Sequence, residues 1–111
     1  MHNTIALLKL TQIVKLLLII IHKMNTLQLE RAMKGLSGKT VGVFASDRIH
    51  LTLGFPSAII MNTQEHWKPG EYWVALYIDE NGYGYYFDSY GMPPYVSYYI
   101  NRINRNCLNF I

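Results

Sequence analysis

The stretch from Gly70 to Pro94, GEYWVALYIDENGYGYYFDSYGMPP, constrains the fold of this chain more than any other. Tyr72 to Ile78 is dense in β-branched and aromatic side chains, which suit a pleated, packed surface. Strand alternation sends Tyr72, Val74, Leu76 and Ile78 to one face and Trp73, Ala75 and Tyr77 to the other. Both faces are apolar, so the strand is predicted to be central and covered on both sides. Tyr83 to Phe87 is the returning strand, and Asp79-Glu80-Asn81-Gly82 connects the two.

Two turns compete for that connection. Asn81-Gly82 alone favours a two-residue loop, which pairs Ala75 with Asp88. Asp79 at the first position and Gly82 at the fourth favour a type I turn closed by a left-handed glycine, a three-residue loop that pairs Val74 with Asp88. The second turn uses both residues and is the one expected. It places Tyr72 and Asp88 on one face as diagonal neighbours, within reach of long side chains.

GEYW followed by YYFDSYG resembles the adenovirus-type cysteine proteases, particularly relatives carried by transposons and large DNA elements, within the superfamily of the ubiquitin-like-protein proteases. The segments GKTVGVFASDR, AIIMNT and HWKPG fit the same relatives, and the resemblance covers roughly Met24 to Asn106. In that family a His-Trp pair opens one strand, an acid closes the next, and a Gln and a nucleophilic Cys at a helix head follow much later. The resemblance implies a papain-like domain in which Tyr72 occupies the His position, Trp73 the aromatic beside it and Asp88 the orienting acid. Tyr72 departs from the pattern: imidazole accepts a thiol proton near neutral pH, whereas a phenol, with a reference pKa of about 10, does not. The sequence reaches Ile111 before any Gln or Cys-Gly segment, and Cys107 lies ahead of the family nucleophile position. The expectation is a degenerate or truncated, transposon-derived peptidase-like protein, inactive as it stands. A non-enzymatic binding module and an exon fragment of a longer thiol protease are the alternatives.

Composition sets the remaining bounds. At 111 residues the chain is at most one small domain, and half of it is hydrophobic. A single cysteine excludes an internal disulfide and a cysteine-based zinc site, and fits the reducing cytoplasm or nucleus. No metal or cofactor motif is present. The net charge of +3 resides in Lys9, Lys15 and Lys23, leaving residues 24 to 111 neutral, which argues against nucleic acid as a partner. A peptide or protein substrate is the expected partner.

Residues 1 to 23 are apolar with interruptions, and Thr4, Thr11, Lys15 and His22 form one polar stripe at helical spacing. The longest unbroken apolar run, Leu16 to Ile21, is far short of a membrane span. Three readings stand: a helix packed on the domain, a helix lying on a membrane surface or serving as a poor signal sequence, and a leader ahead of a start at Met24. The division expected is a leader at 1–23 and a peptidase-like domain at 24–111 that folds without it.

An α+β fold follows, with a mixed or antiparallel sheet centred on the hairpin at 72–88 and helices at roughly 25–37 and 94–106. Asn25 is the N-cap of the first, Pro93 and Pro94 fit the first turn of the second, and Asn106 caps its end. Asp47 and Arg48, in the loop after the 40–45 strand, are an ion pair or substrate contacts, and His66 is a surface loop residue. With only part of the family domain present, one face of Tyr72–Ile78 is expected to stay exposed and to drive self-association.

Overall fold

The computed structural model describes residues 2–22, 25–64, 67, 73–88 and 90–110, with the side chains at 2–8, 21, 26, 109 and 110 left out. Tyr72 and His66 therefore lie outside the described residues. The elements are α1 (His2–Ile21), α2 (Thr26–Met33), β1 (Thr40–Phe44), β2 (Ser57–Asn62), β3 (Trp73–Ile78), β4 (Tyr83–Asp88), α3 (Ser97–Asn106) and the two-residue β5 (Asn109–Phe110). The strands form one mixed sheet in the order β1-β2-β3-β4-β5, parallel at its two outer pairs and antiparallel at the inner ones. The α+β architecture is thus as the sequence suggests, and of the two sheet types it is the mixed one.

The hairpin adopts the three-residue loop. The Gly82 amide donates to Asp79 O at 3.0 Å, the Asp79 amide donates to Tyr83 O at 2.9 Å, and Gly82 sits at φ 85°. That left-handed backbone suits glycine because no Cβ opposes it. Val74 consequently pairs with Asp88. β3 is buried from Val74 to Ile78 and splits its side chains between two cores. Ala75 and Tyr77 join Ala58 and Ile60 on one side, and Val74, Leu76 and Ile78 join Ile59 and Met61 on the other.

The first core is closed by α1 and α2, whose Leu16, Ile19, Ile20, Leu29 and Met33 are all buried against the sheet. The inner side of α1 therefore packs on the domain. α1 covers the face of the sheet that carries Ala75 and Tyr77, so a chain starting at Met24 would leave that face without this cover. Lys9 also docks α1 on the hairpin turn, with Nζ 3.5 Å from Asp79 Oδ2 and 5.4 Å from the centre of the Tyr85 ring.

The second core is closed by α3 and the 45–56 connection. β1 and β2 are parallel neighbours, so the chain must cross over between them, which needs a dozen or so residues. That crossover carries Ile49 and Leu53 beneath Tyr99 and Ile103. Asn106 fastens it: Oδ1 accepts from the Leu53 amide at 2.8 Å, and Nδ2 donates to Leu51 O at 3.1 Å. Arg102 Nε donates to Ile49 O at 3.1 Å.

The structure corrects four expectations. The exposed β3 face that was to drive self-association is not found, since helices cover one side and α3 with the crossover the other. Asn106 is the last residue of α3 and a loop anchor, and Cys107 takes the cap position. Pro93 and Pro94 precede α3, whose N-cap is Val96, because a residue before proline is held extended and delays the first helical turn. α2 is shorter than predicted and ends at Met33, though its Asn25 cap is present as a full capping box with Gln28.

Candidate functional site

β4 brings Asp88 to the end of the sheet where β3 begins. Its Oδ1 accepts from the Tyr90 amide at 2.7 Å, and its carbonyl from the Gly91 amide at 2.9 Å, so the acid also organises the turn that leaves the sheet. Val74, its cross-strand partner, faces the α3 side. Trp73, one residue earlier, packs with the α1 and α2 core and is half-buried. Strand alternation therefore puts Trp73 and Asp88 on opposite faces. Tyr72, the residue at that position, is outside the described residues.

Around Asp88 the α3 side is aromatic. The Tyr86 ring lies 6.3 Å from that of Tyr99 at 48°, and the Tyr99 hydroxyl donates to Asn62 O. The Tyr86 hydroxyl is buried without a hydrogen-bond partner. Burial, then the negative charge of Asp88 and the neighbouring Tyr95, push its pKa well above the ordinary phenol value. Tyr86 thus stays a neutral phenol and offers no proton acceptor near neutral pH. On the other face burial, with Glu80 and Asp79 behind it, raises Tyr77 to about 12.

Cys107 stands elsewhere. It follows α3 and precedes Leu108, whose amide donates to Gly82 O at 2.9 Å, and Tyr83 pairs with Asn109. The thiol is therefore at the Asp79–Gly82 end of β4. Asp88 is at the other, five strand steps or ~17 Å away along the strand. Burial, reinforced by the charge of Asp79, raises the thiol to about 11. A thiol of that pKa holds only about one part in ten thousand as thiolate at pH 7.

Asp47 and Arg48 occupy the turn after β1, beside the buried Ser46, whose amide donates to Gln64 O at 3.0 Å. They stand at the start of the crossover, and the Arg48 amide donates to Ala45 O at 3.0 Å. Among the described residues no cluster of His, Cys, Asp and Glu is arranged to hold a metal ion. Among the same residues no helix is long and apolar enough to cross a membrane.

Sequence reasoning missed the polar centre of the hairpin. Asp79 was read as a turn residue, yet it is 1% exposed and accepts from the Asn81 and Tyr83 amides at 2.9 and 3.0 Å as well as from Lys9. Asp at the first turn position signals the two amides. Nothing in the local sequence signals a lysine seventy residues earlier. Comparison with protein-family models, curated proteins and solved structures finds no match to this chain.

Proposed function

We propose that this chain is a cysteine-peptidase-like binding protein with no thiol hydrolase activity of its own. The observation that carries the inactive half of this reading is the place of Cys107. The only thiol in the sequence lies at the opposite end of β4 from Asp88, half-buried and held protonated. Acyl transfer needs a thiolate within hydrogen-bond reach of its base, and the base oriented in turn by a third group. Five strand steps separate the two ends. The peptidase-like half rests on the resemblance of GEYW and YYFDSYG and on the register that pairs Val74 with Asp88.

The binding half rests on the surface next to Asp88. Tyr90, Met92 and Tyr95, on the segment that leads from β4 into α3, and Tyr98, in the first turn of α3, are all exposed. Tyrosine and methionine are enriched at the centres of protein interfaces, where large side chains give contact area at low entropic cost. A peptide or protein segment is the partner this surface suits.

Incubation with a broad set of fluorogenic peptides tests the first half: no turnover is expected, and turnover abolished by Cys107→Ser would overturn it. Selection of displayed random peptides against the full chain tests the second. Enriched peptides should lose binding to the Tyr95→Ser/Tyr98→Ser variant. Failure to enrich, or indifference to that variant, removes the binding function.

A further inference from the structure

α1 is the least conventional element of this fold, because its outer side carries an apolar ridge beside the polar stripe of Thr11, Lys15 and His22. Its inner side buries Leu16, Ile19 and Ile20 and hydrogen-bonds through the buried Gln12, whose Oε1 accepts from the Ser37 amide at 3.3 Å. On the outer side Leu10, Val14 and Leu18 follow one another at four-residue spacing and are 57%, 44% and 51% exposed. At 1.5 Å per residue they make an apolar ridge about 12 Å long. α2, in the same layer, exposes Leu27 to a similar degree, and a shallow groove of about 300 Å³ runs between the helices, lined by Lys15, Leu18, Ile19, His22 and Ala32.

The part of the sequence that supplies this layer is its basic part. Residues 1 to 39 contain six of the ten Lys and Arg side chains and one of the seven acids, Glu30, so the rest of the chain is net acidic. Lys9 is spent on Asp79, but Lys15, Arg31, Lys34 and Lys39 are exposed. A second copy of the chain is a poor occupant for such a face, since apposing two of these layers sets basic side chains against basic ones. An anionic bilayer is a good one. Apolar side chains rising among lysines and arginines match the acyl boundary beneath a negative headgroup layer.

We propose that the α1/α2 layer docks on the surface of anionic membranes, with Leu10, Val14 and Leu18 inserted at the acyl boundary and Lys15, Arg31 and Lys34 against the headgroups. This is surface attachment of the folded protein and not a span. The inner side of α1 stays packed on the sheet, so docking requires no unfolding.

The test is co-sedimentation of the full chain with large vesicles. Vesicles of phosphatidylcholine alone are compared with vesicles containing roughly one third phosphatidylserine, at ~100 mM salt. Binding is expected only to the anionic vesicles and should fade at molar salt. Neutralising Lys15 or Arg31 to Gln should weaken it roughly fivefold each. Leu10→Gln/Leu18→Gln should weaken it about tenfold or more, with an unchanged melting temperature because both side chains are exposed. Where that variant melts early, the Lys15→Gln/Arg31→Gln pair decides alone. No binding to anionic vesicles, equal binding to both compositions, or binding indifferent to these substitutions overturns the proposal. So does a dimer in sedimentation that Leu10→Gln/Leu18→Gln dissociates, which would give the ridge to a second copy.

Discussion

Replacing Leu16 by alanine asks directly whether α1 belongs to the core. Leu16 is fully buried and contributes to the cluster that holds Ala58, Ile60, Ala75 and Tyr77. Truncating a buried leucine removes its transfer free energy and leaves a cavity that the surroundings only partly fill, a loss of about 3 kcal/mol. A domain of this size has a total stability of about 5–15 kcal/mol, so the change removes a substantial fraction of it. At roughly 4 °C per kcal/mol the melting temperature should fall by about 12 °C. The internal control is Leu18→Ala, two residues away on the same helix but 51% exposed, which should change stability by no more than about 0.5 kcal/mol. Urea unfolding followed by circular dichroism measures both, with the slope expected to stay constant and the midpoint to move. Equal and small effects at the two positions would refute the reasoning: α1 would then be an appendage, and the chain from Met24 would stand alone.

The hairpin, the crossover and the thiol give three further expectations. Lys9→Met strands the buried Asp79 carboxylate on its two backbone amides. Because the Lys9 side chain is 30% exposed, the loss in urea unfolding should be about 1–2 kcal/mol, less than for a fully buried pair. Asn106→Ala leaves the Leu53 amide without its acceptor, which should cost about 2 kcal/mol and speed hydrogen exchange across 49–53, while β3 exchange stays slow. Stability should decline in alkali. Cys107 rises from 9.0 to about 11 and Tyr77 from 10.0 to about 12 on folding, so each contributes stability that is complete below its unfolded value and is lost as pH rises through its folded one. Cys107→Ser should flatten the decline of the urea midpoint between about pH 9 and 11 and leave the part above it.

What the sequence made legible was local. The two faces of β3 follow from alternation in WVALYI, and both are filled as that alternation requires. The register follows from turn chemistry, because only the three-residue loop uses Asp79 and Gly82 together, and it sets Val74 opposite Asp88. Asn25 announced the start of α2 for the same reason: a cap is satisfied within four residues. The inward side of α1 was only partly legible: Thr11, Lys15 and His22 of its polar stripe are exposed, but Leu10, Val14 and Leu18 beside them are as apolar as the buried residues and do not announce their side. Lys9 on Asp79 and Asn106 on Leu53 are contacts across seventy and fifty-three residues, and no spacing rule encodes them. The start of α3 was misread because Pro93 and Pro94 suit a first helical turn by φ but hold their predecessors extended. Of the candidate site, Asp88 and Trp73 fell on opposite faces by simple alternation. The place of Cys107 depended on where α3 delivers the chain, at the Gly82 end of β4, which only the packing of that helix decides.

The central claim is that Cys107, the one thiol in the sequence, is half-buried and at the far end of β4 from Asp88, so the proposed peptidase-like reading has no nucleophile beside that acid. Intact-protein mass after incubation with a peptidyl vinyl sulfone at pH 7 tests it most directly. The account predicts no adduct on the folded chain and one adduct, at Cys107, once urea unfolds it. Rapid, saturable labelling of the folded chain that depends on the peptide sequence of the reagent would contradict it.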